Sequence, residues 1–335
     1  MKLLFQKIQS AFDNQNTHNR ITLKNIETLR NLLSQQLPPE ILIHSLKNWT
    51  GTQQLDIRNY IFWNATIFAL VCMALGFLIS IYFFPFAILA IFYGFYHTAS
   101  TAELICLLQD IQIYYYEHKY NFKFATEDNL PKEGTSASDF PLFKLGNQEN
   151  SVLTAIHGKW QVRETIHPYK IFRYHYINRE MAYNSKGKWE LKDVSYNLYG
   201  VILENFPVRG VSISSKQKKA CRLGVAWESS DIRFNQKYQQ SGINELDLVK
   251  FLSPDRLLLL EKMLEDFPGD FYVHPETSAL CWLCNVNLLR QQSLYGASVR
   301  ELAECLETLS MPEFEQFANK LQHFINETQM PKPQK

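Results

Sequence analysis

The sequence predicts an α+β protein in which N-terminal helices and a transmembrane helical hairpin precede a domain with a mainly antiparallel sheet and C-terminal helices. Three observations predict it. No Asp, Glu, Lys or Arg occurs in the 44 residues from Asn59 to Ala102. Apolar and polar residues alternate in short runs between Lys170 and Val286, the period of strands. Leucines and phenylalanines recur at three- and four-residue spacing near both ends of the chain, with helix start and stop residues beside them.

Composition narrows the classes first. The 335 residues carry 34 Lys and Arg against 33 Asp and Glu, so the basic stripe of a nucleic-acid binder is absent and no nucleic-acid partner is expected. Six Cys are too few for a disulfide scaffold. Residues 1–58 form a helical region: Ile21, Ile26, Leu29, Leu33 and Leu37 approach a stripe that Pro38-Pro39 ends. A second short helix starts near Glu40 and carries Ile41, Leu42 and Leu46 towards Trp49.

The uncharged run, residues 59–103 with its flank, is the hairpin. One straight helix of this length would measure roughly 66 Å at about 1.5 Å per residue, against a hydrocarbon core of about 30 Å. Two spans fit, at about 61–82 and 86–103, with the turn at Tyr82-Phe83-Phe84-Pro85. Proline cannot continue the first helix and suits the first turn of the second. Tyr60 and Trp63 at one end of span one, Tyr82 and Phe83 at the other, and Tyr93, Tyr96 and Tyr114-Tyr115-Tyr116 towards or beyond the exit of span two suit membrane–water boundaries. A run that begins near residue 60 is misplaced for a cleaved signal peptide. The turn carries no Lys or Arg while residues 1–58 carry seven, which puts both termini in the cytoplasm. The expected location is a bacterial inner (plasma) membrane, crossed more than once.

Residues 104–124 continue span two as an amphipathic extension through Leu104, Leu107, Leu108, Ile111 and Tyr115. Residues 125–150 read as a linker, with Pro131, Gly134, Pro141 and Gly146 as breakers. Residues 151–330 are the cytoplasmic α+β domain. Residues 170–177 form a strand, and residues 184–187 a turn. A second strand puts Val194, Tyr196, Leu198, Ile202 and Phe206 on one face, with Gly200 marking a bulge or a close backbone approach. Val208 to Ser214 is a shorter strand, and Ile232, Phe234 and Tyr238 alternate again. Ser253-Pro254-Asp255 opens a helix buried through Leu257, Leu260, Leu264 and Phe267 and stopped by Pro268-Gly269. A hairpin pairs 271–274 with 279–286. Capping boxes at Ser298-x-x-Glu301 and Ser310-x-x-Glu313 start two closing helices, the second with Phe314, Phe317, Leu321 and Ile325 facing inwards.

Three stretches carry a resemblance: Gly158-Lys159-Trp160 leading to Glu164; Tyr199-Gly200-Val201 followed by Phe206-Pro207; and the segment from Ser229 to Tyr238 leading to Phe251-Leu252-Ser253-Pro254. With the order of the parts they resemble a family of uncharacterised bacterial inner-membrane proteins that join a two-span hairpin to a cytoplasmic β-rich domain of unknown function. The likeness covers about 60–290 and implies a membrane location, with no assigned activity.

No linear motif carries chemistry. Cys281-Trp282-Leu283-Cys284 has the C-x-x-C spacing but no second pair, and its alternating run puts the two sulfurs on opposite strand faces. His157, His167 and His175 are scattered, and His97 suits an interfacial anchor. Lys216, Lys218 and Lys219 form a solvated basic loop, with anionic lipid headgroups the alternative contact. Glu265, Asp266 and Asp270 read as a solvated acidic patch. No phosphate-cradling loop or nucleophile elbow occurs. The sequence therefore offers no catalytic, cofactor-binding or metal-ligating residue. It points to a non-enzymatic membrane protein whose partners are the lipid bilayer and a membrane or cytoplasmic protein. A membrane-tethered enzyme and an accessory transporter subunit are the alternatives.

Overall fold

The structure is a computed structural model and describes residues 2–126, 128–129, 139–183, 185, 187–215 and 223–329. Its contacts form two compact units: Met1–Lys119 with Ser293–Leu309, and Tyr120–Gln292 with Ser310–Lys335.

In the first unit, α1 (Lys2–Ser34) runs further than its apolar stripe suggests, and Pro38 precedes α2 (Pro39–Lys47), which carries proline in its first turn. Ile26 and Leu29 are buried, and so are Gln15, Asn19, Thr22 and Asn25. These four polar residues recur at helical spacing, and their side chains hold the extended segment that leads to the hairpin. Asn25 Nδ2 donates to the carbonyls of Thr52 and Gln54, both at 2.9 Å. Thr22 Oγ1 donates to the Asp56 carbonyl at 3.0 Å. Asn19 both donates to the Arg58 carbonyl and accepts from its N–H, each at 2.9 Å.

The hairpin is α3 (Tyr60–Leu78), a 3₁₀ turn at Ile81–Phe83, and α4 (Phe84–Tyr96). It packs through small residues: Ala69, Cys72 and Ala87 are buried between the legs, and a Cβ on Gly94 would lie 3.0 Å from that of Ala65. Close approach through small side chains is how apolar helices pair without a hydrophobic drive between them. The helices are shorter than the expected spans of 61–82 and 86–103, and the second does not continue into the amphipathic extension. Residues 97–101 are non-helical, and α5 (Ala102–Tyr120) starts afresh. Thr98, Ser100 and Thr101 are weak helix formers, and Ala99 has both backbone groups hydrogen-bonded to Asn59.

The unit closes with α9 (Val299–Thr308), which packs on α2. Leu55 N–H donates to the Ala297 carbonyl at 2.9 Å, and Val299 N–H to the Gln53 carbonyl at 2.7 Å. The chain is thus divided differently from the expected 151–330 domain: the first of the two closing helices belongs with the N-terminal helices, and the sheet unit begins before the expected linker.

The second unit is a nine-stranded antiparallel sheet, order β1-β2-β3-β4-β9-β8-β5-β7-β6. The strands are β1 (Phe122–Phe124), β2 (Glu149–Val162), β3 (Thr165–Tyr183), β4 (Trp189–Leu203), β5 (Val211–Ser215), β6 (Val225–Trp227), β7 (Tyr238–Gly242), β8 (Gly269–Val273) and β9 (Leu280–Cys284). One sheet face packs on Phe140, Leu142 and Phe143, which meet Phe172, Tyr174, Ile202, Tyr272, Cys281 and Leu283. The described end of the expected linker is therefore core; its residues 127 and 130–138 lie outside the described residues.

The other face carries an aromatic cluster of Phe271, Trp282, Phe317 and Phe324 beneath α8 (Pro254–Asp266) and α10 (Pro312–Thr328). Trp282 Nε1–H donates to the Phe267 carbonyl at 3.2 Å, so the buried indole is satisfied. Phe206 belongs to this cluster, 5.8 Å from Phe271, and not to the face of Ile202; β4 ends at Leu203, and the alternation ends with it. The expected alternation at Ile232, Phe234 and Tyr238 is instead α6 (Ile232–Lys237) followed by β7, because Asp231 accepts from the N–H groups of Arg233 and Phe234 and caps a helical turn. α7 (Glu245–Phe251) follows, capped by Asn244. Ser298 caps α9 as expected, whereas α10 starts at Pro312 without a side-chain cap, so the box at Ser310 does not form. Ser253 stands at the start of α8 without capping it.

Candidate membrane interface

The hairpin stands out for what covers it. Tyr60–Leu78 is the one helix long and apolar enough to cross a membrane among the described residues, with mean hydropathy 2.1 and only 11% of its most apolar stretch buried; Ile81–Tyr96 is apolar but shorter. A core helix of a soluble domain would be mostly covered. Here Trp63, Ile67, Phe68 and Leu70 on the first leg and Phe86, Leu89, Phe92 and Phe95 on the second are each more than half exposed.

The mouth of the hairpin is built from neutral amides. Asn59 Nδ2 donates to the Ala99 carbonyl at 2.9 Å, and Ala99 N–H donates to Asn59 Oδ1 at 2.8 Å. Ile61 N–H donates to Gln15 Oε1 at 3.0 Å, while Gln15 Nε2 reaches the His97 carbonyl at 3.5 Å. Backbone groups freed where the helices start and stop thus find partners that carry no net charge, which suits the edge of a low-dielectric phase. The His97 ring lies against Tyr93 and Tyr96, with centroids 4.6 and 4.9 Å away. The first charges appear just outside. Asp56 meets His18 and Arg58, each at 3.0 Å. Partial burial pushes the Asp56 carboxyl up, but the Arg58 hydrogen bond and the Arg58 and His18 charges outweigh it and hold it below its ordinary value.

In the sheet unit, Cys281 shares its face with Ala279 and Leu283 and contacts Tyr272 and Ile202 across the ladder. Cys284 ends β9 opposite Tyr199 and Gly269. Both lie in the strand that their alternation indicated, and that strand is buried along its whole length. His157, His167 and His175 do not converge: His157 approaches Asn129, His175 bonds Asn197, and His167 is buried between Glu204 and Gln329. Glu265 pairs with Lys237, and Asp266 with Lys320. Asp270 is buried, so the acidic residues do not form one solvated patch. Lys216, Lys218, Lys219 and Cys221 lie outside the described residues. Among the described residues no three His, Cys, Asp or Glu side chains could hold a metal ion.

A cleft of about 540 Å³ is lined by Arg209, Lys250, Arg256 and Phe206 among others. Arg256 donates to the carbonyls of Lys250, Glu327 and Thr328, so its guanidinium is spent on backbone groups that include the last turn of α10. A shallower depression of about 570 Å³ runs between α6 and α8, where Ile232 and Leu258 are bare to solvent. Comparison of the chain with family models, with curated proteins and with solved structures finds no match. The reading of the hairpin therefore rests on its own chemistry. Sequence reasoning found its apolar legs but missed the amide collar, whose signal is the uncharged polar series Gln15, Asn19, Thr22 and Asn25 at helical spacing.

Proposed function

We propose that this chain is a non-enzymatic protein of a bacterial inner membrane, held there by the hairpin, with the segments before Asn59 and after Ala99 on the cytoplasmic face. The observation that carries the proposal is the bare apolar surface of α3 and α4 beside a collar of neutral amides, with the first charges just outside it at Asp56 and Arg58. Water would leave that surface exposed at a cost of roughly 1.5–3 kcal/mol for each large side chain that lipid could cover. Seven basic residues in 1–58 and none in the turn support the orientation.

On this reading the sheet unit is the part that meets a protein partner, and the depression beside Ile232 and Leu258 is the contact its surface favours. The full chain should remain in the membrane pellet after an alkaline carbonate wash. A chain in which a short Gly-Ser turn replaces residues 60–98 should be released. Ile232→Glu with Leu258→Glu should remove a stoichiometric partner purified in mild detergent and leave membrane attachment intact. Release of the unaltered chain by carbonate would end the membrane reading.

A further inference from the structure

We infer that the hairpin is re-entrant: it enters and leaves the bilayer by one face, and its tip ends among the acyl chains of the far leaflet without reaching water beyond them. The inference rests on the membrane reading above and adds the depth of insertion to it.

Polarity along the hairpin runs one way. The mouth has neutral amides, with charged residues just outside it. The tip, residues 77–85, is Phe-Leu-Ile-Ser-Ile-Tyr-Phe-Phe-Pro. Phe77 is 81% exposed, Leu78 82%, Ile79 70% and Ile81 71%, and Tyr82, 80% exposed, is the one amphipathic aromatic of the tip. A loop that emerged on the far side would hold these side chains in water, with no Lys, Arg, Asp or Glu to meet the headgroups. The tip also satisfies part of its own backbone, as a segment in hydrocarbon must. Ile79 and Ser80 both donate to the Leu75 carbonyl, at 2.8 and 3.2 Å, and Phe83 N–H donates to the Ser80 carbonyl at 3.2 Å.

Length agrees. Trp63, Tyr93 and Tyr96 mark the level at which the aromatic band meets the interface. From Trp63 to Leu78 the helix rises roughly 22 Å at about 1.5 Å per residue, and over its full length from Tyr60 about 27 Å, just under a hydrocarbon core of about 30 Å. The returning leg is no longer, since α4 has 13 residues and the preceding 3₁₀ turn three. Asn59 ties the two legs at the base, so neither can slide to lengthen the pair.

The test places a single additional thiol at the tip of the full chain, Ser80→Cys, with Ile79→Cys as a second tip position and Thr101→Cys at the mouth. Membranes are prepared as right-side-out and inside-out vesicles and treated with a membrane-impermeant maleimide. Labelling is read as the gain over the parent chain, which shares the native cysteines. Thr101→Cys should label from one face alone. The tip thiols should label from neither face, at least about tenfold below the level reached after denaturation in SDS, because a thiol in hydrocarbon does not form the reactive thiolate. Labelling of either tip thiol from the face opposite Thr101→Cys would overturn the inference in favour of two full crossings and leave the membrane reading standing. Labelling of the tip from the same face as Thr101→Cys would overturn it too, and with release by carbonate it would remove the membrane reading as well.

Discussion

Asn59 grips Ala99 by both of its backbone groups, the amide nitrogen donating to the carbonyl at 2.9 Å and the amide oxygen accepting from the N–H at 2.8 Å. Forty positions separate the two residues, and the pair fixes where each leg of the hairpin begins. Asn59→Ala leaves a donor and an acceptor of the Ala99 backbone without these partners, which should cost about 1–3 kcal/mol where water is scarce. The expected result is faster hydrogen exchange at Ala99 and in the first turn of α3 in membrane-bound protein. Unchanged exchange would show that the clamp does not hold the mouth.

His167 gives the sheet unit a pH dependence with a defined sign. Burial pushes its imidazole below its ordinary value, against the opposing effect of the backbone carbonyl it meets at Glu204. Above about pH 6.5 the folded and unfolded chains both carry the ring neutral, and stability from this group is full. As pH falls through that value the unfolded chain takes up the proton first, so stability is lost down to the lower value of the folded state. His167→Gln should flatten the urea midpoint of the detergent-solubilised chain between about pH 7.5 and 5. An equal slope in both proteins would remove His167 as its source.

Gly200 pairs with Leu283 across β4 and β9, and a Cβ there would lie 2.2 Å from the Trp282 carbonyl oxygen and 2.6 Å from Phe172 Cζ. Backbone on one side and a fully buried ring on the other cannot both move aside. Gly200→Ala should therefore lower stability by about 1–3 kcal/mol, with a shifted denaturant midpoint as the readout. A neutral substitution would contradict the tight approach.

Cys281 and Cys284 predict a contrast between two replacements. Both side chains are buried in β9. Alanine at both positions removes volume alone, whereas serine brings hydroxyls into an apolar setting at roughly 1–3 kcal/mol for each one left without a partner. The double serine variant should be the less stable. Metal analysis of the purified full chain should find no stoichiometric zinc; one zinc per chain that disappears in both double variants would make the pair ligands.

The contrast between what the sequence displays and what it conceals follows from how far each signal reaches. The apolar legs are legible because 44 residues without charge are a local property. Buried positions such as Leu257, Leu260 and Leu264, or Phe314, Phe317 and Leu321, follow from helical spacing alone. Gly200 is legible as a close approach, since a glycine inside a strand implies one. The misreadings have local and distant causes. Ile232 and Phe234 alternate as in a strand, yet one carboxylate at Asp231 is enough to start a helical turn. Ala99 lies in an apolar run that reads as helix until the side chain forty residues away claims its backbone. The stripe Gln15, Asn19, Thr22 and Asn25 looks like a solvent face because its partners are backbone groups of an extended segment, which have no signature in side-chain pattern. The sheet order could not be read either, since β9 lies between β4 and β8 only after the chain has returned from α8.

The return of residues 293–309 to the first unit sets a timetable for biogenesis. Lys47 pairs with Glu307 across 260 positions, and Gln53 meets Arg300 across 247. At roughly 5–20 residues per second on the ribosome, α2 waits some ten to fifty seconds for α9 to be made. The hairpin leaves the tunnel long before that, so on the proposed membrane reading its partition into lipid would precede completion of the α2–α9 pair. The sheet unit is nearly all synthesised in the same interval, and α10 follows last. The N-terminal unit is thus the first part translated and cannot be the first part finished. A ribosome that stalls or terminates before residue 299 would leave α2 without α9, with Leu42 and Leu46 exposed for quality-control proteases to find.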